Sequence, residues 1–346
     1  MRRIKTALLS YGLSGKVFHA PFLQVHQGYE LVGSWERSRR QIATDFPECS
    51  SFGSLNEILA DPEIELVVVN TPTNTHFEFT RAALLAGKHV VVEKAFTTTA
   101  SEAKELGQLA EERGRLISVY QNRRWDSDFL SVQKVLKNDL TGELVEAQIS
   151  FDRFNPAIGP KLHREAPGPG AGNLMDLGPH CVDAALVLFG MPDAVFADLR
   201  SVRKDSLVDD YFDVLLYYKF LRVRLHSTYL ARRAGPGFIV HGRAGTYVKS
   251  QSNIQEAQLR SGMKPNDVAF GIEPPESRGK LYRKGKEGYE VIESPRGNYL
   301  AYFEQLHLAL NGKCPVPVTA GEGVNVMRVL EAAAESSAKG RVVSLL

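Results

Sequence analysis

The chain has 346 residues, of which 43% are hydrophobic and 24% charged, an ordinary composition for a soluble globular protein with two domains or one large one. A formal net charge of +2 gives no reason to expect a nucleic acid or a membrane as partner. The three cysteines are far apart and form neither a metal-binding spacing nor a disulfide framework, which suits a reducing cytoplasm. No apolar stretch approaches the length needed to span a bilayer, and the N-terminal apolar run is too short for a signal peptide. We therefore expect a cytoplasmic protein without a bound metal.

The first predicted elements are a buried strand over residues 4–9 and a glycine-containing turn. Residues 10–15 match the dinucleotide motif G-x-G-x-x-G, with Ser10 in place of the first glycine. Gly12 would let the backbone approach a pyrophosphate, and Gly15 would let the following helix pack closely with its N–H groups directed at the phosphate. An ordinary turn between a strand and a helix fits the same residues.

The end of the second predicted strand, Tyr29–Trp35, carries conflicting signals about a nucleotide. Glu36 follows it, 21 residues after Gly15, near the offset at which an acid binds the ribose hydroxyls of NAD. Arg37 comes next, and an arginine here can accept the 2′-phosphate of NADP. For the arginines that follow it, a solvated, charged start of a helix is an equal alternative.

Buried strands and helices then alternate up to residue 122. The predicted strands cover residues 66–69, 88–92 and 116–120, and the helices between them begin near Asn74 and at Thr99. This alternation predicts right-handed βαβ units and a parallel sheet. Because the carboxyl ends of parallel strands meet at one edge, the residues that follow the strands should converge on a nucleotide site. They are Gly12, Thr71, Pro72, Lys94, Gln121 and Asn122.

Lys94 stands out among these residues because it ends a strand of three consecutive valines. A lysine at the carboxyl end of a buried parallel strand lies where open α/β sheets bind their ligands. A weak surface ion pair between Glu93 and Lys94 that merely closes the strand is the alternative.

The second half is expected to have a different fold. A helix over residues 128–137 precedes an alternating strand over 144–154, and a loop rich in proline and glycine follows. Asp176 and His180 come next at a spacing of four, which places them on one face of a helix. A carboxylate beside an imidazole can orient it and raise its basicity, although such pairs also serve as structural links within helices.

Residues 194–250 are mostly strand by pattern. Since no helices intervene, the sheet should be mostly antiparallel. A broad sheet with few covering helices leaves one face open, so a homodimer or homotetramer through that face is expected. Residues 251–297 show no clear pattern. The remaining predicted elements are helices over 299–311 and 321–339 and a short strand over 342–345.

Together these motifs resemble the glucose–fructose oxidoreductase / inositol dehydrogenase / rhizopine catabolism (Gfo/Idh/MocA) family. The resemblance covers essentially the whole chain. It is carried by Gly12-x-Ser-Gly15-x-Val-Phe-His-Ala-Pro, Thr71-Pro72 with His76, the Ala-Gly-Lys-His-Val of 86–90, Glu93-Lys94, the Tyr-Gln-Asn-Arg-Arg-Trp-Asp of 120–126, Asp176-Leu-Gly-x-His180 and the Pro-Val-Thr-Ala-x-Glu-Gly of 317–323. The Asn-Arg-Arg-Trp-Asp stretch is most similar to the branch that contains NADP-dependent scyllo-inositol dehydrogenases.

The resemblance implies an α/β fold with two domains. Residues 1–122 would form a Rossmann domain with a doubly wound parallel sheet. Residues 123–346 would form an α+β domain with a large, mostly antiparallel open sheet for substrate binding and oligomerisation, and the C-terminal helices are able to pack back on the first domain. A cleft between the domains would hold NAD or NADP, a choice that the sequence leaves open, and a small-molecule substrate.

The resemblance also implies the residues of the site, with no metal among its ligands. The implied catalytic residues are Lys94, Asp176 and His180. The implied cofactor-binding residues are Gly12, Ser14, Gly15, Glu36, Arg37, Thr71, Pro72, Asn74, His76, Glu93, Lys94 and Asn122. The implied substrate-binding residues are Lys94, Arg123, His163, Asp176 and His180.

Two positions depart from the family pattern. The family's Glu-Lys-Pro is Glu-Lys-Ala here. That proline often follows a cis bond, so Ala95 either adopts the cis form or lies trans and moves Lys94. His163 stands where the branch usually has Trp, which leaves the identity of the substrate open.

The predicted reaction is hydride transfer between a nicotinamide and a carbinol carbon of a sugar, a cyclitol such as inositol, or a related polyol. His180 would act as general base, and Lys94 would stabilise the developing alkoxide. One alternative is a non-catalytic regulatory protein that binds a dinucleotide or a sugar on the same fold. Another is an enzyme with a different product, such as a tetrapyrrole reductase or a glycoside oxidase. The presence of Lys94, Asp176 and His180 together favours the dehydrogenase.

Overall fold

The computed structural model describes residues 3–36 and 40–346, which form two compact units. The first unit comprises the described residues up to Asn122 together with 256–270 and 298–324. The second comprises 123–255, 271–297 and 325–346. Within the described residues, no helix combines the length and the apolar character that crossing a membrane would require.

Strands and helices alternate through the first part of the chain, as predicted. In order they are β1 (Ile4–Leu8), α1 (Ala20–Val25), β2 (Tyr29–Trp35), α2 (Gln41–Asp45), β3 (Ser50–Phe52), α3 (Leu55–Ala60), β4 (Leu66–Val69), α4 (His76–Leu85), β5 (His89–Glu93), α5 (Ala100–Arg113) and β6 (Ile117–Tyr120). A π-helical turn at Gly15–His19 precedes α1. A reciprocal capping box between Thr99 and Glu102 starts α5, as expected from the sequence.

The six strands form one parallel sheet with the order β3-β2-β1-β4-β5-β6. This is the order of a doubly wound Rossmann sheet, and it reverses between β1 and β4. Strand β4, a leucine followed by three valines, and the three valines of β5 are buried on both faces, because helices cover both sides of such a sheet. The predicted fold of this region is confirmed.

The elements after Asn122 include two long helices near the end of the chain. In order they are α6 (Ser127–Lys137), β7 (Leu144–Ser150), α7 (Leu162–Glu165), α8 (Asn173–Asp176), α9 (Gly178–Phe189), β8 (Ala194–Arg200), β9 (Tyr211–Tyr217), β10 (Arg222–Thr228), β11 (Pro236–Gly242), β12 (Gly245–Ser250), α10 (Ile254–Arg260), β13 (Gly279–Arg283), β14 (Glu290–Ile292), α11 (Leu300–Leu310), α12 (Ala320–Lys339) and β15 (Val343–Ser344).

Helix α11 belongs to the first unit and packs there through aromatic side chains. The ring of Phe303 stacks on that of Phe22 with 5.2 Å between centroids. The hydroxyl of Tyr29 donates to the carbonyl oxygen of Phe303 at 2.8 Å. Tyr302 donates from its hydroxyl to Ser118 on β6 at 2.9 Å. Since these aromatic side chains are almost fully buried, they extend the core of the Rossmann sheet.

The second unit is built on a nine-stranded sheet with the order β14-β13-β12-β11-β7-β10-β9-β8-β15. Within this second sheet, β10 and β7 form the one parallel pair that the described residues show, so the prediction of a mostly antiparallel sheet is confirmed. Buried and more exposed residues alternate along β9 and β10, as they do in a sheet with one covered face. The edge strand β14 and its neighbour β13 lie in the stretch that showed no sequence pattern. The expected oligomer stays a prediction.

Candidate functional site

The turn after β1 carries the residues that the sequence predicts to bind a phosphate. Ser10 takes the place of the motif's first glycine, and its hydroxyl accepts a hydrogen bond from the backbone N–H of Gly12 at 3.2 Å. A Cβ on Gly15 would lie 2.4 Å from the carbonyl oxygen of Ser10, so packing requires glycine there. Among the described residues, the nearest atom to a Cβ on Gly12 would be Ser10 Oγ at 3.5 Å, an ordinary contact. Packing does not require Gly12, whose bare backbone suits close approach of a ligand.

The loop after β4 is joined to this turn. Asn70 Nδ2 donates to the carbonyl oxygen of Ser10 at 2.8 Å, across the point where the strand order reverses. In open α/β sheets, ligands bind at this point. Three predicted cofactor residues, Thr71, Pro72 and Asn74, follow directly, and the last two are exposed.

His76 links the same loop to the end of β5. Its side chain is buried, with Nδ1 2.8 Å from the carbonyl oxygen of Ala95 and Nε2 2.9 Å from that of Thr71. Burial lowers the pKa of His76, although its hydrogen bonds to the carbonyl groups act in the opposite direction. In the structure, His76 holds two loops together; its predicted contact with the cofactor stays a prediction.

Lys94 follows β5 directly and is half-buried. The preceding Glu93 is fixed on several sides: its Oε1 accepts a hydrogen bond from Ser14 Oγ at 2.5 Å and lies 2.9 Å from His19 Nε2. Its Oε2 accepts the backbone N–H of Lys94 at 3.2 Å. Burial raises the pKa of Glu93, but His19, Ser14 and Lys94 outweigh this effect and hold it below its ordinary value. The Lys94–Ala95 peptide bond is cis, the first of the two alternatives for this position.

Glu36, predicted at the adenosine ribose, has partners within the protein. Its carboxylate accepts the backbone N–H groups of Gln41 at 3.0 Å and Ile42 at 3.1 Å, at the start of α2. The hydroxyl of Ser51 donates to it at 3.0 Å. Glu36 therefore caps α2, as an acidic group near a helix N-terminus commonly does. Arg37 lies outside the described residues.

The predicted residues Asn122 and Arg123 lie in a 3-10 turn that follows β6. Asn122 is buried. Arg123 Nη1 donates to Asp126 at 3.0 Å and to Asn253 at 2.9 Å, and its guanidinium lies 4.6 Å from the ring centroid of Phe151. These bonds fix the Arg123 side chain within the second unit.

Asp176 and His180 lie on two consecutive helices, so the prediction that they share one face of a single helix is wrong. Helix α8 ends at Asp176, and α9 begins at Gly178 with Pro179 in its first turn. Proline favours the start of a new helix because it lacks the N–H group that a continuing helix would use. His180 is half-buried, and its ring stacks on Phe151 with 6.1 Å between centroids.

The Asp176 carboxylate is held by two residues that the sequence did not assign to the site. Arg164 Nη1 donates to its Oδ2 at 2.9 Å, and the Tyr229 hydroxyl donates to the same oxygen at 3.3 Å. Burial and the nearby Asp176 raise the pKa of Tyr229, which keeps this hydroxyl a donor at neutral pH. Tyr229 follows β10 and lies 53 residues from Asp176, a separation at which no sequence spacing signals a contact.

A third missed residue, Asp209, holds the start of α8. Its Oδ2 accepts the backbone N–H of Leu174 at 2.6 Å. Gly172 precedes the helix with a φ of +88°, and a Cβ there would lie 2.0 Å from Asp209 Oδ1. Both the backbone conformation and the lack of space for a side chain therefore require glycine at position 172. Through Asp209, the loop between β8 and β9 positions the helix that ends at Asp176.

Helix α9, which carries His180, is anchored by an ion pair. Arg124 donates from Nε and Nη2 to the two carboxylate oxygens of Asp183 at 2.8 and 2.7 Å. Their side chains are only 12% and 5% exposed, so this is a nearly buried bidentate pair. Both residues line a cavity of about 40 Å³ together with His180. The sequence motif Asn-Arg-Arg-Trp-Asp includes Arg124, but it gives no indication that Asp183 is its partner.

His163, the remaining predicted substrate residue, lies on the short helix α7 and is exposed. Partial burial and the neighbouring Arg164 and Lys161 lower its pKa. The structure describes Lys94 in the first unit and Arg123, His163, Asp176 and His180 in the second. Over residues 3–36 and 40–346, no three histidine, cysteine or acidic side chains are grouped as a metal site would need.

Family models match both parts of the chain. The NAD-binding Rossmann fold of the Gfo/Idh/MocA oxidoreductase family matches residues 4–121, and its C-terminal alpha/beta domain matches residues 133–345. Fold and matches together define an oxidoreductase with an NAD-binding domain. The chain belongs to the Gfo/Idh/MocA oxidoreductase family, as the motifs had predicted.

Individual relatives agree with this assignment. The chain is 40% identical over 344 residues to the scyllo-inositol 2-dehydrogenase (NADP(+)) of Bacillus subtilis, covering 99% of this chain and 96% of that protein. It is 39% identical over 336 residues to an uncharacterized oxidoreductase of Escherichia coli, with 96% of each covered. The solved structure of the oxidoreductase yvaA from Bacillus subtilis superposes with a TM-score of 0.96 at 40% identity, covering 100% of this chain and 99% of that one.

Proposed function

We propose that this oxidoreductase uses NADP(H) to oxidise a CH–OH carbon of a sugar, a cyclitol or a related polyol. The observation that carries the proposal is the junction at the reversal of strand order in the Rossmann sheet. There the Asn70–Ser10 hydrogen bond joins the glycine turn to the loop after β4, and Lys94 follows the neighbouring strand β5. A lysine beside the usual ligand position of an open α/β sheet is well placed to act on a bound substrate.

The residues of this edge fit a dinucleotide. Gly15 is required for packing, and the bare backbone at Gly12 suits a pyrophosphate, so the turn would hold the phosphates. Thr71, Pro72 and Asn74 would contact the rest of the coenzyme. When bound, the nicotinamide supplies the acceptor for a hydride from the carbinol carbon. The protein's own residues then have to manage the hydroxyl proton and the charge on oxygen.

His180 would take the hydroxyl proton as general base, since imidazole exchanges protons near neutral pH. The Lys94 ammonium would donate a hydrogen bond to the same substrate oxygen and stabilise its negative charge as the carbonyl forms. Asp176, held by Arg164 and Tyr229, would orient the imidazole or bind a neighbouring hydroxyl. The substrate would also contact Arg123 and His163.

The preference for NADP rests on Glu36. An acid at this position selects NAD by binding the ribose hydroxyls and repelling a 2′-phosphate. Here two backbone N–H groups of α2 and the Ser51 hydroxyl already bind the Glu36 carboxylate, which reduces its repulsion of a phosphate. Arg37 directly follows and would pair with that phosphate. The Bacillus subtilis relative is NADP-dependent by name.

Fluorescence titration with NADPH and with NADH, followed by turnover assays with a panel of polyols, tests the proposal. We expect NADPH to bind about tenfold more tightly than NADH, and Arg37→Ser to remove that difference, because one lost charge-assisted contact is worth about 1.5–3 kcal/mol. Arg243→Ser, in an exposed ion pair with Glu143, serves as the control and should change neither affinity. Binding of neither nucleotide would contradict the proposal, and binding without turnover of any polyol would favour a regulatory protein.

A further inference from the structure

His19 is a fully buried histidine that none of the roles above includes. Its ring lies 4.4 Å from that of Tyr120, between centroids. Its Nε2 lies 2.9 Å from Glu93 Oε1, whereas its buried Nδ1 has no hydrogen-bond partner in the part of the chain that the structure describes. Burying an imidazole nitrogen without a partner costs free energy. The hydrogen bond to Glu93 is therefore the polar interaction that offsets this cost for the buried His19 ring.

A π-helical turn makes this contact possible. Ser14 and His19 are five residues apart, and both bind Oε1 of Glu93. In an α-helix, five residues correspond to a rotation of about 140° beyond one full turn, which would direct the two side chains to different sides. The Gly15–His19 turn is closed instead by a bond from the backbone N–H of Ala20 to the carbonyl oxygen of Gly15. Single π turns of this kind occur frequently at functional sites.

The carboxylate that these residues hold is the immediate neighbour of Lys94. The Glu93 side chain is 14% exposed, and a carboxylate so placed stays ionised only if donors or cations compensate for its lost hydration. His19 and Ser14 supply the donors, and the Lys94 ammonium supplies a cation. Among the described residues, His76 and Tyr302 also interact electrostatically with Glu93.

We propose that His19 is a positioning residue that keeps the Glu93 carboxylate ionised and aligned, and thereby orients the Lys94 ammonium. Ser14 assists from the glycine turn. The inference rests on the proposed function, in which Lys94 contacts the substrate oxygen. His19 itself touches neither substrate nor coenzyme in this account. Its removal should therefore affect turnover and its pH dependence but leave the binding of coenzyme nearly unchanged.

The test compares His19→Phe, which keeps a ring but removes the donor, with His19→Gln, whose amide N–H can still donate. His307→Phe, at another buried histidine of the first unit, is the matched control for loss of an imidazole. The first readout is independent of turnover: a 13C NMR pH titration of the Glu93 carboxyl carbon, identified by its absence in Glu93→Gln. The second is the pH profile of kcat together with the Kd for NADPH.

In His19→Phe we expect the Glu93 carboxyl to take up its proton about one pH unit or more higher than in the wild type, because the ionised form has lost a donor. We also expect kcat to fall by about tenfold, with its acid limb moved to higher pH, and the Kd to change little. His19→Gln should recover part of both effects, and His307→Phe should show neither. If His19→Phe does not fold, His19→Gln alone should still show the smaller shift.

The results separate this inference from the proposed function. If the wild type turns over polyols but the His19 variants keep both its kcat profile and its Glu93 titration, the positioning role is refuted while the function stands. If no polyol is turned over but the Glu93 titration moves as expected, the link from His19 to Glu93 is supported while the proposed function fails.

Discussion

The regions that carry Lys94 and Asp176 are built in opposite ways. Lys94 directly follows β5, whose valines are buried on both faces, and the neighbouring Glu93 carboxylate is fixed by Ser14 and His19. Asp176 ends a four-residue helix, and its partners come from the short helix α7 and from the residue that follows the distant strand β10. In the first region the strand itself sets the position of the functional residue; in the second, individual polar contacts do so.

The region of Lys94 and the region of Asp176 therefore depend on different kinds of contact. A strand in the middle of a parallel sheet is held by its ladder and by apolar burial on both faces, so single polar substitutions near it should move it little. Helices as short as α8 have little stability of their own. The position of α8 depends on Asp209, and that of the following helix α9 on the Arg124–Asp183 pair. The second region should therefore be the more sensitive of the two to loss of one polar partner.

The largest effect on stability is expected from Asp183→Asn. The change is nearly isosteric but leaves the Arg124 guanidinium without its counter-charge in a site that is only 12% exposed on the arginine side. Breaking a buried pair by removing one partner costs about 3–5 kcal/mol. Urea unfolding, followed through the fluorescence of Trp125 in a Trp35→Phe background, measures the loss in free energy of unfolding.

Glu143→Gln is the matched control for this substitution, because Glu143 binds Arg243 at the same 2.8 Å with both side chains well exposed. Exposed pairs of this kind contribute about 0–1 kcal/mol. Equal losses in the two variants would show that the anchor of α9 does not depend on the buried pair.

A smaller, pH-dependent effect is expected at the amino end of β5, in the strand-built region. His89 Nδ1 accepts the backbone N–H of Leu116 at 3.0 Å, and burial, with Arg115 nearby, lowers the pKa of His89 to about 4. The ordinary pKa of histidine is 6.5. Between pH 6.5 and pH 4, His89 therefore binds a proton in the unfolded chain but not in the folded chain. The free energy of unfolding should therefore decrease as the pH is lowered through this window. His89 should contribute up to about 1.4 kcal/mol of this decrease per pH unit.

The variant His89→Gln isolates this contribution, because glutamine has an oxygen that can accept the Leu116 N–H but does not titrate. Urea midpoints of wild type and variant are measured at intervals from pH 7 to pH 4, and that of the wild type should fall more steeply as the pH falls. Parallel curves would mean that His89 takes up its proton in the folded state and does not oppose protonation there.

The sequence predicted the region around Lys94 better than the region around Asp176. The parallel sheet, its strand ends and the capping box at Thr99 were predicted because buried strands and caps have local signatures. The single helix predicted for Asp176 and His180 was wrong, since a spacing of four cannot reveal that Pro179 starts a new helix. Arg164, Tyr229 and Asp209 went unassigned because their contacts to this region depend on tertiary folding. His19 lay within a quoted motif, yet only the π turn shows that it reaches Glu93.

The most direct test of the central claim is to measure kcat and the Kd for NADPH in Lys94→Ala and His180→Ala, using a polyol that the wild type oxidises. The account predicts that kcat falls by about 10²–10⁴-fold in each variant while the Kd stays close to that of the wild type. Wild-type turnover in both variants would contradict it.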